Sequence, residues 1–215
     1  MLFTRKKDAD ASQSTDLSSD VINSPEFFPS EGGYLQGQLL VATPLVTGSA
    51  FEKSVIFLFA HNAEGAMGVI INQPLELVHY STLLDEHDIP DAVVHESLPV
   101  YHGGPVDKTR GFVVHSDDYT RGEPLMQTNG LAITANSSIL RDMIADTGPQ
   151  HARLAVGYAG WSAGQLEAEI EQNSWITVPA DPTLVFETED ELKWTTASQT
   201  LGIDMNFFSH AVGHA

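Results

Sequence analysis

Apolar residues in this chain come in short unbroken runs, closed by proline or glycine, well before any helical period appears. Gly37 to Thr43 (GQLLVAT) is such a run, and Pro44 stops it. A run of this length without polar alternation reads as a strand buried on both faces, and proline ends it because it has no N–H to give to a ladder. Ser54 to Ala60 (SVIFLFA) and Ala66 to Asn72 (AMGVIIN) repeat the pattern, the second closed by Pro74. His61-Asn62-Ala63-Glu64-Gly65 lies between them and is short enough for a hairpin loop containing glycine. Val100 to His102 and Gly111 to His115 predict strands around the loop Gly103-Gly104-Pro105-Val106-Asp107. Two short strands flank the tight-turn pair Asn129-Gly130.

Helical periodicity appears mainly in the second half. Ser81 to Glu86 predicts a short helix. Asn136 or Ser137 caps a second, with Ile139, Leu140, Met143 and Ile144 on one face and Gly148-Pro149 as the stop. Ala152 to Tyr158 reads as a central strand, Gln165 to Gln172 as a helix, and Trp175 to Val178 and Thr183 to Phe186 as short strands. Thr188-x-x-Glu191 has the form of a capping box, opening a helix that ends at Gly202. Strands run in pairs before helices appear, so the expected class is α+β with a mixed sheet rather than a doubly wound α/β fold. Residues 1–33 are rich in Ser, Asp, Pro and Gly and predict a disordered acidic leader, leaving 34–215 as a single folded domain.

Composition narrows the chemistry. The chain has no cysteine, which excludes disulfides, thiolate catalysis and cysteine zinc sites. The longest apolar run, Val55 to Ala60, has six residues, far short of a membrane span. The basic N-terminus is followed by acidic, polar sequence with no signal-peptide core, so the expected location is the cytoplasm. Net charge is −19. The leader sets Arg5, Lys6 and Lys7 against six acids, while 34–215 sets seven basic residues against 23 acidic ones, so the excess belongs to the fold. Seven cations leave little with which to neutralise a phosphate backbone, and direct nucleic-acid binding is not expected. The acidity suits solubility first and a basic partner second.

Gly160-Trp161-Ser162-Ala163-Gly164 matches G-x-S-x-G, the nucleophile elbow of serine hydrolases, between a predicted strand and a predicted helix. His102-Gly103-Gly104 resembles part of an oxyanion-hole motif, and Asp181, Asp190 or Asp204 with His210 or His214 would complete the order Ser, acid, His. Three points oppose this alternative. Ser162 and Gln165 form S-x-x-Q, a capping box that accounts for both without chemistry. The 53 residues after Ser162 lack parallel strand-helix units. Pro105 has no N–H to offer an oxyanion. A helix cap is the preferred reading of Ser162.

Other constellations have plainer readings. His210 and His214 are spaced for one helix face, but Gly213 and the chain end favour a frayed tail, and no metal site is expected. His61 and Glu64 share a loop, where a histidine bonded to backbone is preferred over a cation site. Leu166 and Ile170 take the buried side of their helix, leaving Glu167, Glu169 and Glu171 as a solvated face. Gly103-Gly104-Pro105 lacks the Lys and Ser/Thr of a phosphate loop and reads as a structural turn. Trp161 and Trp175 read as anchors flanking the helix, and Asn72 either caps a turn or faces a cleft.

Taken in order, several motifs resemble the AlgH/YqgE family. They are Gly37-Gln38-Leu39-Leu40-Val41-Ala42-Thr43-Pro44, Phe51-Glu52-Lys53-Ser54-Val55, His61-Asn62, Glu64-Gly65-Ala66-Met67-Gly68 and Asn72-Gln73-Pro74. Tyr101 with Gly103-Gly104-Pro105-Val106, Gly111-Phe112-Val113 with His115, and Gly157-Tyr158-Ala159-Gly160-Trp161 with Gly164-Gln165-Leu166-Glu167 continue the likeness. Glu169-Ile170, Asn173, Trp175, Trp194 and Gly213-His214-Ala215 complete it over residues 34–215. The resemblance implies an α+β fold with a bifurcated sheet surrounded by helices, in a bacterial cytoplasmic protein. It implies no established enzymatic activity and no cofactor, and its pattern tolerates residues other than Ser at 162. Members are often labelled transcriptional regulators, yet the 137–147 helix offers only Arg141 and the 165–172 helix carries three acids. The expectation is therefore a non-enzymatic regulatory or interaction protein that engages a protein or small-molecule partner. The expected surface joins His61, Asn62, Asn72, Gly103, Gly104, Pro105, Trp161 and Gln165, residues of loops and strand ends.

Overall fold

The computed structural model describes residues 34–75, 100–203 and 205. The expected leader 1–33, the 81–86 helix, Asp204 and the His210/His214 pair lie outside these residues. The apolar runs form the strands anticipated. β1 (Gln38–Ala42), β2 (Val55–Asn62) and β3 (Gly65–Ile70) make an antiparallel meander. β9 (Trp175–Pro179) returns antiparallel to the outer side of β1. On the other side β3 pairs with β8 (Ala152–Ser162), which pairs with β5 (Val106–Ser116). β7 (Leu131–Thr134) and β6 (Met126–Thr128) complete that wing across the Asn129-Gly130 turn, whose φ values of 48° and 83° suit the tight hairpin. β4 (Val100–His102) lies parallel to β8, so the sheet is mixed.

The sheet forks on β8. Its first half, at Leu154 to Val156, is flanked by β5 on one edge and β4 on the other, while its second half, Ala159 to Ser162, is flanked by β3. Gly157 sits at the change-over with φ 74°. Gly103-Gly104-Pro105 crosses it at close quarters. A Cβ on Gly103 would lie 2.1 Å from the Gly157 carbonyl oxygen, and one on Gly104 would lie 2.1 Å from the Tyr158 carbonyl carbon. The Gly103 N–H donates to the Val156 carbonyl at 2.8 Å and its carbonyl accepts from the Ile70 N–H. The turn is structural, as expected, and the fold makes it a backbone junction between the two wings.

Alternation along the doubly buried strands separates two cores. Leu39, Val41, Phe57, Phe59 and Val69 face α3 (Asp190–Gln199), together with Tyr101, Phe112 and Trp194. Leu40, Ala42, Ile56, Leu58 and Ile70 face α2 (Gln165–Glu171), with Leu166, Trp161 and Trp175. A third cluster holds α1 (Ser138–Ile144) through Ile139 and Leu140 against Val113 and Leu154. Each fully buried large side chain contributes about 1.5–3 kcal/mol relative to exposure. No helix among the described residues is long and apolar enough to cross a membrane.

Local expectations fail where side chains from elsewhere intervene. Thr183–Glu187 is a π-helical turn rather than a strand. Pro182 enters it with φ −51°, Asp181 accepts the Thr183 N–H at 2.9 Å, and Arg153 captures the Val185 and Phe186 carbonyls. Thr188 does not cap α3: its hydroxyl donates back to the Thr183 carbonyl, and the helix starts at Asp190 without a side-chain cap. α3 does stop near Gly202, where φ is 70° and the Ile203 N–H returns to the Ser198 carbonyl. Asn136, not Ser137, supplies the side-chain bond at the start of α1, accepting the Ser138 N–H at 2.9 Å. The first hairpin turn is only Ala63-Glu64, so His61 and Asn62 belong to β2 and are buried.

The fork yields a direct test. Gly157→Ala would place a Cβ 2.5 Å from the Gly104 carbonyl oxygen, whereas Gly164→Ala meets nothing within 4 Å at a similar φ of 71°. Urea unfolding should show a loss of roughly 3 kcal/mol or more for Gly157→Ala, against about 1–2 kcal/mol for Gly164→Ala, which carries the left-handed penalty alone. Equal losses would mean that close backbone approach does not hold the fork together.

Candidate functional site

The G-x-S-x-G stretch is not an elbow. β8 runs on through it, with Gly160 opposite Met67 and Ser162 opposite Gly65. The reversal comes two residues later, at Gly164, which precedes α2. The predicted capping box is half made: the Ser162 N–H donates to Gln165 Oε1 at 3.0 Å, but Gly164 holds the cap position and no side-chain cap bond forms. The Ser162 side is exposed, and among the described residues no histidine or carboxylate hydrogen-bonds its hydroxyl. Of the acids that might have served it, Asp181 caps the 183–187 turn and Asp190 lies in a separate network.

The glutamates of α2 are not a purely solvated face. Glu169 Oε2 accepts both indole N–H groups, from Trp161 at 2.9 Å and Trp175 at 2.7 Å, and Glu169 Oε1 accepts the Gln165 side-chain amide at 2.9 Å. Phe51 packs on both indoles, at ring distances of 6.5 and 5.8 Å. Glu167 reaches the other flank, where its Oε1 is 2.9 Å from His61 Nε2. Burial raises the Glu167 carboxyl, but hydrogen bonds from its own amide and from His61 outweigh it and leave the group below the ordinary range. Glu171 is exposed. Two carboxylates therefore dock α2 on the sheet, each at charge-assisted hydrogen-bond distances.

The expected surface divides along β3. His61, Asn62, Trp161 and Gln165 gather at the α2 end, since His61 pairs with Ala66 and Trp161 also lies opposite Ala66. Asn72 lies six residues further on, roughly 20 Å away at strand rise. There it accepts the Val55 N–H at 2.8 Å and donates to the Lys53 carbonyl at 2.9 Å, stapling the start of β2. Gly103, Gly104 and Pro105 occupy the fork between them. These eight residues do not form one patch.

A constellation absent from the sequence reading lies at the opposite face. Asp190, the first residue of α3, accepts from Arg153 Nη1 at 3.1 Å, Lys193 Nζ at 2.5 Å and the Tyr101 hydroxyl at 3.0 Å. Arg153 also donates to the Tyr101 oxygen and stacks over that ring at 4.9 Å. Its Nε and Nη2 hold the Val185 and Phe186 carbonyls at 2.7 and 3.1 Å. Four of its five N–H donors are thus engaged. Lys193 is fully buried, with a second bond to the Thr188 carbonyl at 2.6 Å. Burial pushes its ammonium below the ordinary lysine range, against the upward pull of Asp190. Beside this network opens a cavity of about 460 Å³, floored by Tyr101 and Arg153 and rimmed by Glu187 and Glu189, with His151 stacked on Phe186 at 5.5 Å. Lys193 lies three residues from Asp190, but nothing in spacing links them to Tyr101 and Arg153; the fold does that.

The seven cations of the domain are dispersed. Arg153 and Lys193 are spent on Asp190, Arg121 sits 3.7 Å from Asp142, Lys53 lies over Trp194 and Arg110 over Phe112. Among the described residues no group of three or more His, Asp or Glu is placed to hold a metal.

Comparison with known proteins puts this geometry in context. Residues 39–206 match the protein-family model described as AlgH-like. A UPF0301 protein from a Bradyrhizobium species is 46% identical over 196 residues, covering 86% of this chain and 90% of its own length. Another from Ruegeria pomeroyi is 46% identical over 183 residues, covering 84% and 99%. The solution structure of the AlgH protein from Pseudomonas aeruginosa superposes with a TM-score of 0.69 at 35% identity, over 87% of this chain and 99% of that one. A crystal structure of a Corynebacterium diphtheriae protein shares the fold at TM-score 0.61 and 22% identity, over 80% and 90%.

The Asp190 network predicts an unequal cost of its members. Asp190→Ala leaves two cations facing each other without their anion and should lower stability by about 3–5 kcal/mol. Tyr101→Phe removes one hydroxyl and should cost about 1 kcal/mol. Denaturant unfolding of both variants checks the order, and a Tyr101→Phe loss as large as that of Asp190→Ala would rule out the carboxylate as the hub.

Proposed function

The chain belongs to the AlgH-like family, and from that premise we propose that it is a cytoplasmic regulatory binding protein. It takes a small-molecule ligand in the cavity beside α3 and acts on transcription through a protein partner, without touching DNA. The cavity carries this reading. At about 460 Å³ it falls within the size of small-molecule sites, and its lining, from Gln150, His151 and Arg153 to Glu187, Glu189 and Asp190, is mostly polar and suits a polar ligand. Phe186 and His151 offer ring faces, and the polar groups are held by the Asp190 network before any ligand arrives.

Electrostatics supports the indirect route. A net charge of −19 and seven dispersed cations oppose a phosphate backbone and favour a basic or neutral partner. The α2 end adds a rigid platform in which Trp161 and Trp175 share one carboxylate.

A thermal-shift screen of metabolites tests the reading, with wild type beside His151→Ala, which alters an exposed wall of the cavity. A metabolite that raises Tm in the wild type and loses most of that effect in His151→Ala is the expected result. Equal shifts in both proteins would place binding elsewhere. In parallel, fluorescence anisotropy with duplex DNA should show no binding at near-physiological salt. Tight, salt-dependent binding would overturn the indirect route.

A further inference from the structure

His61 is almost wholly enclosed: its side chain is 2% exposed. Both ring nitrogens are committed, and in opposite senses. Nδ1 accepts the Leu35 backbone N–H at 3.0 Å. A nitrogen that accepts a hydrogen bond carries no proton, so the proton of the neutral ring is on Nε2, which donates to Glu167 Oε1 at 2.9 Å. The titratable groups facing the ring are Glu167 from α2 and Tyr34 from the segment before β1, whose ring meets it edge-on at 5.0 Å. From β3 the cross-strand neighbour is Ala66, which has no charge, and Glu64 sits in the turn that ends the same hairpin.

We infer that His61 is a proton-operated latch on the segment that leads into β1. Protonation requires a hydrogen on Nδ1, where the Leu35 N–H already points. Two N–H groups cannot share that line, so the imidazolium expels Leu35 while it keeps, and strengthens, its bond to Glu167. The consequence spreads along the segment. Gln36 Nε2 donates to the Phe59 carbonyl at 3.1 Å and the Gly37 N–H to the Leu58 carbonyl at 2.8 Å, so residues 34–37 cover the outer edge of β2 where β1 has not yet begun. Acidification lifts this cover and leaves the Leu58 and Phe59 carbonyls unpaired on an open strand edge. The latch is closed while the ring is neutral and open once it is protonated.

Amide hydrogen exchange and histidine ¹⁵N spectra of the full chain, from pH 8 to pH 5, test this. At pH 8 the His61 signals should report the Nε2–H tautomer. As His61 titrates, the protection factor of the Leu35 amide should fall about tenfold, as for one lost backbone hydrogen bond. The Phe57 amide, in the core of β2, should keep its protection, which separates release of the latch from acid unfolding. His61→Gln, whose amide offers an acceptor and a donor but no titration, should leave Leu35 protection flat with pH. Three results would overturn the latch: an Nδ1–H tautomer at pH 8, a ring that stays neutral throughout, or Leu35 protection that ignores the titration of His61.

Discussion

Two wings of one sheet must share β8, and two backbones can meet there only if side chains stay away. Gly103, Gly104 and Gly157 meet that demand, since a Cβ on any of them would overlap a backbone atom of the other segment. From this junction follow the parallel register of β4 against β8, the position of Tyr101 at the inner face, and the direction in which β5 leaves toward β7 and β6. The cavity next to α3 and the α2 platform lie on different parts of β8: Arg153 stands at its start and Trp161 at its end. The fork therefore sets the distance between the two polar systems.

Each polar system has one carboxylate that gathers several donors. Glu169 collects two indoles and an amide, and Asp190 collects an arginine, a lysine and a phenol. An ionised carboxylate has lone pairs for several donors at once, so one acid can tie a helix to several strands. Such a tie is unforgiving, because every donor loses a charge-assisted bond if the acid goes, and the two cations beside Asp190 lose their anion. Acidic residues used in this way contribute to the negative charge of the domain while stabilising its inside. The sign of the net charge thus says less about partners than the dispersal of the cations does.

The motif most suggestive of catalysis is better explained by docking. Trp161, Gln165, Glu167, Glu169 and Trp175 fall within fifteen residues and fasten α2 to the sheet, with Ser162 beside them on a strand. Of the glycines around Ser162, Gly160 is an ordinary strand residue whose added Cβ would meet only the Tyr158 ring, at 3.4 Å, and Gly164 serves the turn into α2 with φ 71°; the close approach is on β3, where Gly65 has no room for a Cβ against the Trp161 carbonyl, at 2.2 Å. A glycine-rich strand end that changes direction and a nucleophile elbow look alike in one dimension.

How much was legible from residues alone depended on range. The unbroken runs at Gly37–Thr43, Ser54–Ala60 and Ala66–Asn72 and the Asn129-Gly130 turn determined the strands, because burial on both faces and tight turns leave a mark within a few residues. The α+β class and the turn at Gly103-Gly104-Pro105 were fixed in the same local way. The strand expected at Thr183 to Phe186 is a π-helical turn because the Val185 and Phe186 carbonyls are claimed by Arg153, some 30 positions upstream. Asp190 and Lys193 are a local pair on one helix, but no spacing ties them to Tyr101 and Arg153, and only the fold brings the four to one point. Likewise the sequence placed His61 in a loop beside Glu64, while the tertiary structure buried it in β2 against Glu167 and Leu35. Hydrophobic period is a property of neighbours along the chain, and it decided the elements. Hydrogen-bond partnership is a property of neighbours in space, and only the assembled sheet could decide which polar groups meet.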